Sequence, residues 1–206
     1  GELGEIVVKG ENVMAGYWKN PTASAETVRD GYLYTGDLGY MSEEGLLYVK
    51  GRFKSLLISS DGEKYSPEGM EEAMVDKSPF IDQIMIYNNQ NPYTIALVVG
   101  SKENLNRHLD ERGIQGDERA VEAVRIVASE IAKYRSGGAF ADEFPDRWVP
   151  AVIAIADQPF TEQNGLVNST MKVVRNKVES HFADRIDYAY TAEGKALLNE
   201  KNLDSL

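Results

Sequence analysis

The chain has no cysteine and only two histidines, His108 and His181. Disulfides and thiolate metal centres are excluded, and two imidazoles far apart in sequence argue against a zinc site. No apolar run approaches the ~20 residues that a membrane-spanning helix needs. No charged-then-apolar leader is present, so no secretory signal is read. Basic residues are scarce: 22 Lys and Arg stand against 33 Asp and Glu, a net charge of −11. That balance argues against a nucleic-acid partner or an anionic membrane surface. A polyphosphate ligand would have to be met by individual cationic side chains in an otherwise repulsive field. These absences predict a cytoplasmic chain. Gly1, rather than Met, stands first, which leads to the expectation of a piece cut from a longer polypeptide.

What is present suffices for one or two domains: 206 residues, 42% of them hydrophobic. Gly4 to Gly10 reads as a strand bounded by glycines, and Asn20-Pro21-Thr22 opens a short helix to about Val28. Tyr32 to Thr35 follows the Asp30-Gly31 turn. Leu38 to Met41 and Leu46 to Lys50 form a hairpin across Ser42-Glu43-Glu44-Gly45. Residues 1–52 are thus β-rich and too poor in apolar side chains to stand as a domain.

From residue 53 the style changes. Ser55 to Ser59 is a short strand and Asp61-Gly62 a turn. In Ser66-Pro67-Glu68 the Ser caps a helix that runs to about Lys77 and stops at Ser78-Pro79. Ile81 to Tyr87, Tyr93 to Val99 and Val149 to Ala156 are strands, the last placed at an edge by Pro150. Leu105 to Arg112, Glu118 to Tyr134 and Lys172 to Phe182 are helices, and the polar tail after Asp184 is expected to be loosely held. The fold class is α+β: short mixed sheets flanked by helices over residues 53–206, preceded by the β-rich tail 1–52.

Several residues stand out chemically. Asp37 follows Gly36 in Tyr34-Thr35-Gly36-Asp37, and a carboxylate can accept hydrogen bonds from both hydroxyls of a vicinal diol. Arg52, in Gly51-Arg52-Phe53-Lys54, is a permanent forked cation. Alone, each would be an ordinary turn carboxylate or a surface ion pair. Lys172 alone would be one of several cations on a terminal helix, beside Arg175 and Lys177. His108, His181, Glu71 and Glu72 read as helix-surface residues.

Taken in order, Gly1-Glu2-Leu3-Gly4-Glu5-Ile6, Val13-Met14-Ala15-Gly16-Tyr17-Trp18, Tyr34-Thr35-Gly36-Asp37-Leu38-Gly39-Tyr40 and Gly51-Arg52 resemble consecutive motifs of the adenylate-forming enzymes. These are the acyl-CoA synthetases, luciferases and peptide-synthetase adenylation domains. Pro159 to Arg175, with its Asn164-Gly165-Leu166 loop, is similar to the closing motif of the long-chain fatty acid–CoA ligase branch. The resemblance covers Gly1 to about Phe182 and is weakest over Lys102 to Ala141, which has the look of a family-variable helical insertion.

The resemblance implies that residues 1–52 end a large AMP-binding domain and 53–206 form its mobile lid. Asp37 and Arg52 would contact ATP or AMP, Lys54 would be the hinge, and Lys172 would be catalytic. Ser60, Asp61, Gly62 and Glu63 would line the pantetheine tunnel for CoA. Family members often carry two glycines in that loop, and here Asp61-Gly62 keeps one. Phe144 to Pro150 would be structural. The implied substrates are a fatty acid, ATP with Mg2+ and CoA, with Mg2+ held mainly by the missing N-terminal domain in cis. Any peripheral membrane contact would also pass through that domain. Separated from it, the piece is expected to be inactive. Two alternatives stay open: the lid of an acyl–acyl-carrier-protein synthetase or another adenylate-forming enzyme, and a standalone non-catalytic binding module.

Overall fold

In the computed structural model, which describes all 206 residues, the chain divides into two units, Gly1–Leu56 and Leu57–Leu206. In the first, strand β1 (Gly4–Val8) pairs antiparallel with β3 (Tyr32–Met41), and β3 also pairs with the short β2 (Val28–Arg29) and with β4 (Leu47–Arg52). Helix α1 (Pro21–Thr27) is started by Asn20, whose side chain accepts from Ala23 N at 3.0 Å, with Pro21 in its first turn. The β3–β4 hairpin closes through Ser42 N to the Leu46 carbonyl at 2.8 Å, with Gly45 in the left-handed region that the turn needs. Tyr40 and Tyr48 stack across it at 5.0 Å. Leu38 is the only hydrophobic side chain of this unit that is fully buried.

The second unit is organised by a strand that is apolar at every position. Strand β8 (Ile95–Gly100) lies between β7 (Ile81–Tyr87), antiparallel, and β9 (Val152–Ile155), parallel. A strand covered on both faces has no polar side to alternate with. One face carries Ile84, Ile86, Ala96, Val98, Ile153 and Ile155 against helices α2 (Glu68–Asp76), α3 (Lys102–Glu111) and α4 (Glu118–Ala132). The other carries Met85, Ile95, Leu97 and Val152 against Phe160 and helices α5 (Arg175–His181) and α6 (Ala183–Ala189). A two-stranded ribbon of β5 (Leu57–Ile58) and β6 (Lys64–Tyr65) bridges from Ile58 to Asn89 just beyond β7. No helix is long and apolar enough to cross a membrane. The architecture is α+β, with short mixed and antiparallel sheets flanked by helices.

Four local expectations are corrected. Ser66 does not cap α2: Pro67 holds the N-cap position, and the buried Ser66 hydroxyl has no partner. The helix expected from Lys172 starts at Arg175, because the Val167–Val173 bridge and the bond from Val174 N to the Leu166 carbonyl hold Val173 and Val174 outside it. Residues 102–141 are not an appended insertion, since Leu105, Leu109, Val124, Val127 and Ile131 supply the main core.

The tail beyond Asp184 is also firmly held. It forms α6 and α7 (Glu200–Leu203), and buried Asn202 lies along the open margin of β9. The Asn202 carboxamide accepts from Ile155 N at 2.9 Å and donates to the Ile153 carbonyl at 3.2 Å, the two bonds that a neighbouring strand would make.

Candidate functional site

In the first unit, register brings Asp37 and Arg52 opposite one another on β3 and β4, and Arg52 Nε lies 3.3 Å from Asp37 Oδ1. Arg52 Nη2 also donates to the Thr35 carbonyl at 3.3 Å. Gly36 takes a positive φ of 72°, and a Cβ there would stand 3.4 Å from the guanidinium. Two partners hold the loop. Thr35 Oγ1 donates to the Ile6 carbonyl at 2.8 Å and accepts from Asp37 N at 3.0 Å, while Glu5 accepts from Gly36 N at 3.0 Å. The side chains of Arg52 and Asp37 are 59% and 38% exposed, so their pairing adds little stability. It poises a carboxylate and a guanidinium side by side at the surface. Lys54 lies exposed in a 3-10 turn over Phe53–Ser55.

In the second unit, Ser59 to Glu63 folds into a closed turn. Gly62 N donates to the Ser59 carbonyl at 2.9 Å, and Ser59 N to the Glu63 carbonyl at 3.0 Å. Asp61 accepts from the Ser59 hydroxyl and from Glu63 N, which holds its carboxyl below the usual range. Glu63 is forked by Arg147, whose Nε and Nη2 each donate at 2.6 Å. That fork lowers the Glu63 pKa. Tyr65 stacks on Trp148 at 4.9 Å, which makes Trp148 a packing residue. Ser60, Asp61 and Gly62 form the exposed tip, and Gly62 (φ 85°) has open space around it.

Lys172 is presented by a turn that runs from Asn168. The Asn168 carboxamide oxygen accepts from Thr170 N at 3.0 Å, Thr170 Oγ1 at 2.8 Å and Lys172 N at 3.0 Å. Its backbone N donates to the Lys172 carbonyl at 2.9 Å. Buried Leu166 and Val167 anchor the base of the turn, and Lys172 itself is exposed. Met171 sits at φ 60°, a region that disfavours a side chain, and is 70% exposed.

Sequence reasoning missed Glu5, Asn168, Arg147 and Glu71. Asn168 was findable: an Asn followed by Ser-Thr is an Asx-turn signal. Glu71 is not a surface residue. Its carboxylate is largely buried and accepts from Ile86 N at 2.6 Å and Arg175 Nη1 at 2.7 Å, a partner 104 residues away that no local pattern indicates. No three His, Cys, Asp or Glu side chains gather into a metal-binding set.

Residues 54–137 match the AMP-binding enzyme C-terminal domain, a span that takes in α3 and α4. Long chain acyl-CoA synthetase 8 of Arabidopsis thaliana is 33% identical over 198 residues, 91% of this chain and 27% of that protein. A chloroplastic long-chain-fatty-acid–[acyl-carrier-protein] ligase of the same plant, AEE15, is 29% identical over 93% of this chain and 26% of its own length. Among solved structures, the adenylation domain of a carboxylate reductase from Mycobacterium chelonae superposes with a TM-score of 0.72 at 27% identity, over 91% of this chain and 28% of that one. The chain thus spans little more than a quarter of the length of each of these three proteins.

Proposed function

Since the chain belongs to the AMP-binding, adenylate-forming superfamily, we propose that it is the C-terminal portion of an ATP-dependent long-chain fatty acid–CoA ligase. The observation that carries this reading is the Asn168-templated turn with Lys172 exposed at its end. An ammonium on a fixed turn and a flexible stem suits a reaction in which negative charge builds between two anions.

In the first half-reaction a fatty acid carboxylate attacks the α-phosphate of ATP, giving acyl-adenylate and pyrophosphate. Lys172 orients the carboxylate and the phosphate and offsets the charge that develops between them. Asp37 accepts from the ribose hydroxyls, and Arg52, beside it, steadies the nucleotide. Residues 53–206 then act as a lid that rotates about Lys54, withdraws Lys172 and brings up the Ser60-Asp61-Gly62 tip. With Glu63 engaged by Arg147, the tip offers the backbone and the Ser60 and Asp61 side chains to a pantetheine arm. The CoA thiol attacks the adenylate carbonyl and AMP leaves. Without the remainder of the large domain, residues 1–206 carry no complete active site and are inactive alone.

The similarity to a carrier-protein ligase favours a second reading, in which the thiol belongs to an acyl-carrier protein. Offering CoA and holo-carrier protein in turn to pre-formed acyl-adenylate separates the two. The main test is Lys172→Ala in the full-length protein. Adenylate formation is expected to fall by about 100-fold or more, with thioester formation from supplied acyl-adenylate preserved. Equal loss of both half-reactions would overturn the assignment.

A further inference from the structure

The turn that presents Lys172 has no apolar anchor of its own, because every residue from Asn168 to Lys172 is exposed. It is fixed from its two ends. Leu166 and Val167 hold the entry. The exit runs through Val173 and Val174 into Arg175, the first residue of α5. Arg175 is an unexpected residue to find there. Its side chain is 14% exposed, and a cation in the first turn of a helix meets the positive end of the helix dipole. A buried guanidinium without a partner would be strongly destabilising.

Glu71 supplies that partner from α2. Arg175 Nη1 donates to Glu71 Oε1 at 2.7 Å, Arg175 Nη2 donates to the Ile86 carbonyl, and Ile86 N donates back to Glu71 Oε1 at 2.6 Å. The three groups close a ring that joins α2, the outer margin of β7 and the start of α5. Burial pushes the Glu71 carboxyl upward, and Arg175 opposes that shift.

We infer that Glu71, acting through Arg175, is a positioning residue for Lys172. The inference rests on the role proposed above for that lysine. Glu71 touches no reacting atom. It fixes the exit of the turn, so that the backbone at residue 172 is clamped between Asn168 and Arg175 and only the side chain swings. The same helix α2 follows the Ser60-Asp61-Gly62 tip, so the clasp ties the segment that presents Lys172 to the segment that follows the other loop.

The test uses the full-length protein with Glu71→Gln, which keeps the size and an acceptor for Ile86 N but removes the charge. Arg175→Lys is the second variant, because it keeps the charge and loses the fork. A displacement of about 1 Å in a reacting group costs on the order of 100-fold. Adenylate formation is expected to fall by about that factor in kcat with KM for ATP little changed, while thioester formation from supplied acyl-adenylate stays within about twofold of the parent. A merely structural role would lower both half-reactions together, and that result overturns the inference, as does adenylation unchanged in both variants. Lys172→Ala run in parallel separates the two levels. If it spares adenylation, the role of Lys172 has failed. If it cuts adenylation and Glu71→Gln leaves adenylation unchanged, only the role of Glu71 has failed.

Discussion

Replacing Asn202 by Ala is expected to loosen the second unit measurably, and the size of the effect follows from its contacts. Asn202 is 2% exposed. Its carboxamide satisfies Ile155 N at 2.9 Å and donates to the carbonyls of Ile153 and Leu197 at 3.2 and 3.0 Å. A buried N–H left without an acceptor costs about 1–3 kcal/mol, and each ordinary hydrogen bond lost costs about 0.5–1.5 kcal/mol. Water reaching the vacated margin recovers part of this, which leaves a loss of roughly 2–4 kcal/mol. For a domain of this size, that corresponds to a fall in Tm of about 5–15 °C. Asn202→Asp is expected to be worse than Ala at neutral pH. It keeps the acceptor for Ile155 but aims a second oxygen at two carbonyls, and part of the loss should return as the carboxyl protonates. Thermal melts followed by circular dichroism report the stability, and amide exchange at Ile155 reports the site. If the Ala variant melts within about 1 °C of the parent and Ile155 exchanges no faster, the strand-mimic reasoning is wrong.

Two more outcomes follow from the loops. Met171 occupies a left-handed conformation, so Met171→Gly is expected to keep the Asn168–Lys172 turn or stabilise it by up to about 1 kcal/mol, whereas β-branched Met171→Val weakens it. Amide exchange across residues 168–172 ranks the two, and the reverse order would count against this reading of the backbone. The Glu63 carboxyl is held below its ordinary value of 4.5 by Arg147, so the fork contributes stability above that value and loses it as pH falls through the lowered one. A carboxyl carbon NMR titration should place the Glu63 midpoint below 4.5 in the parent and return it towards 4.5 in Arg147→Met. Identical midpoints would show that the fork does not act on Glu63 in solution.

Much of the framework was legible because it rests on local rules. Asn20-Pro21 starts a helix, Gly45 turns a hairpin, and an apolar run as unbroken as Ile95–Val99 must be covered on both faces. The elements that were misjudged depend on partners distant in sequence. Asn199, Asn202 and Ser205 read as a solvated tail because polarity usually means exposure, yet all three are buried. Glu71 read as surface because nothing near it in sequence announces Arg175. Residues 102–141 resembled the family least but belong to the core, since packing requires apolar spacing at Leu105, Leu109, Val124 and Val127 and tolerates changes of identity. At the candidate site, the residues proposed to carry chemistry stand in recognisable motifs. Of the residues that hold them, Asn168 has a local Asx-turn signal, whereas Glu5 and Arg147 were visible only once the loops had a shape.

The three-stranded sheet also bears on how copies of this chain behave together. A short sheet with a bare margin is a template, and a neighbouring molecule can extend it by one strand after another. Here the peptide groups of Ile86 on one side and of Ile153 and Ile155 on the other are already occupied by the molecule's own side chains. Crowding can therefore press folded copies together without offering those backbone groups for another chain to copy. Strand addition at those positions would have to wait for α5 or the tail to peel away, so the rate of that local opening, more than the overall stability, sets how readily another chain could pair there.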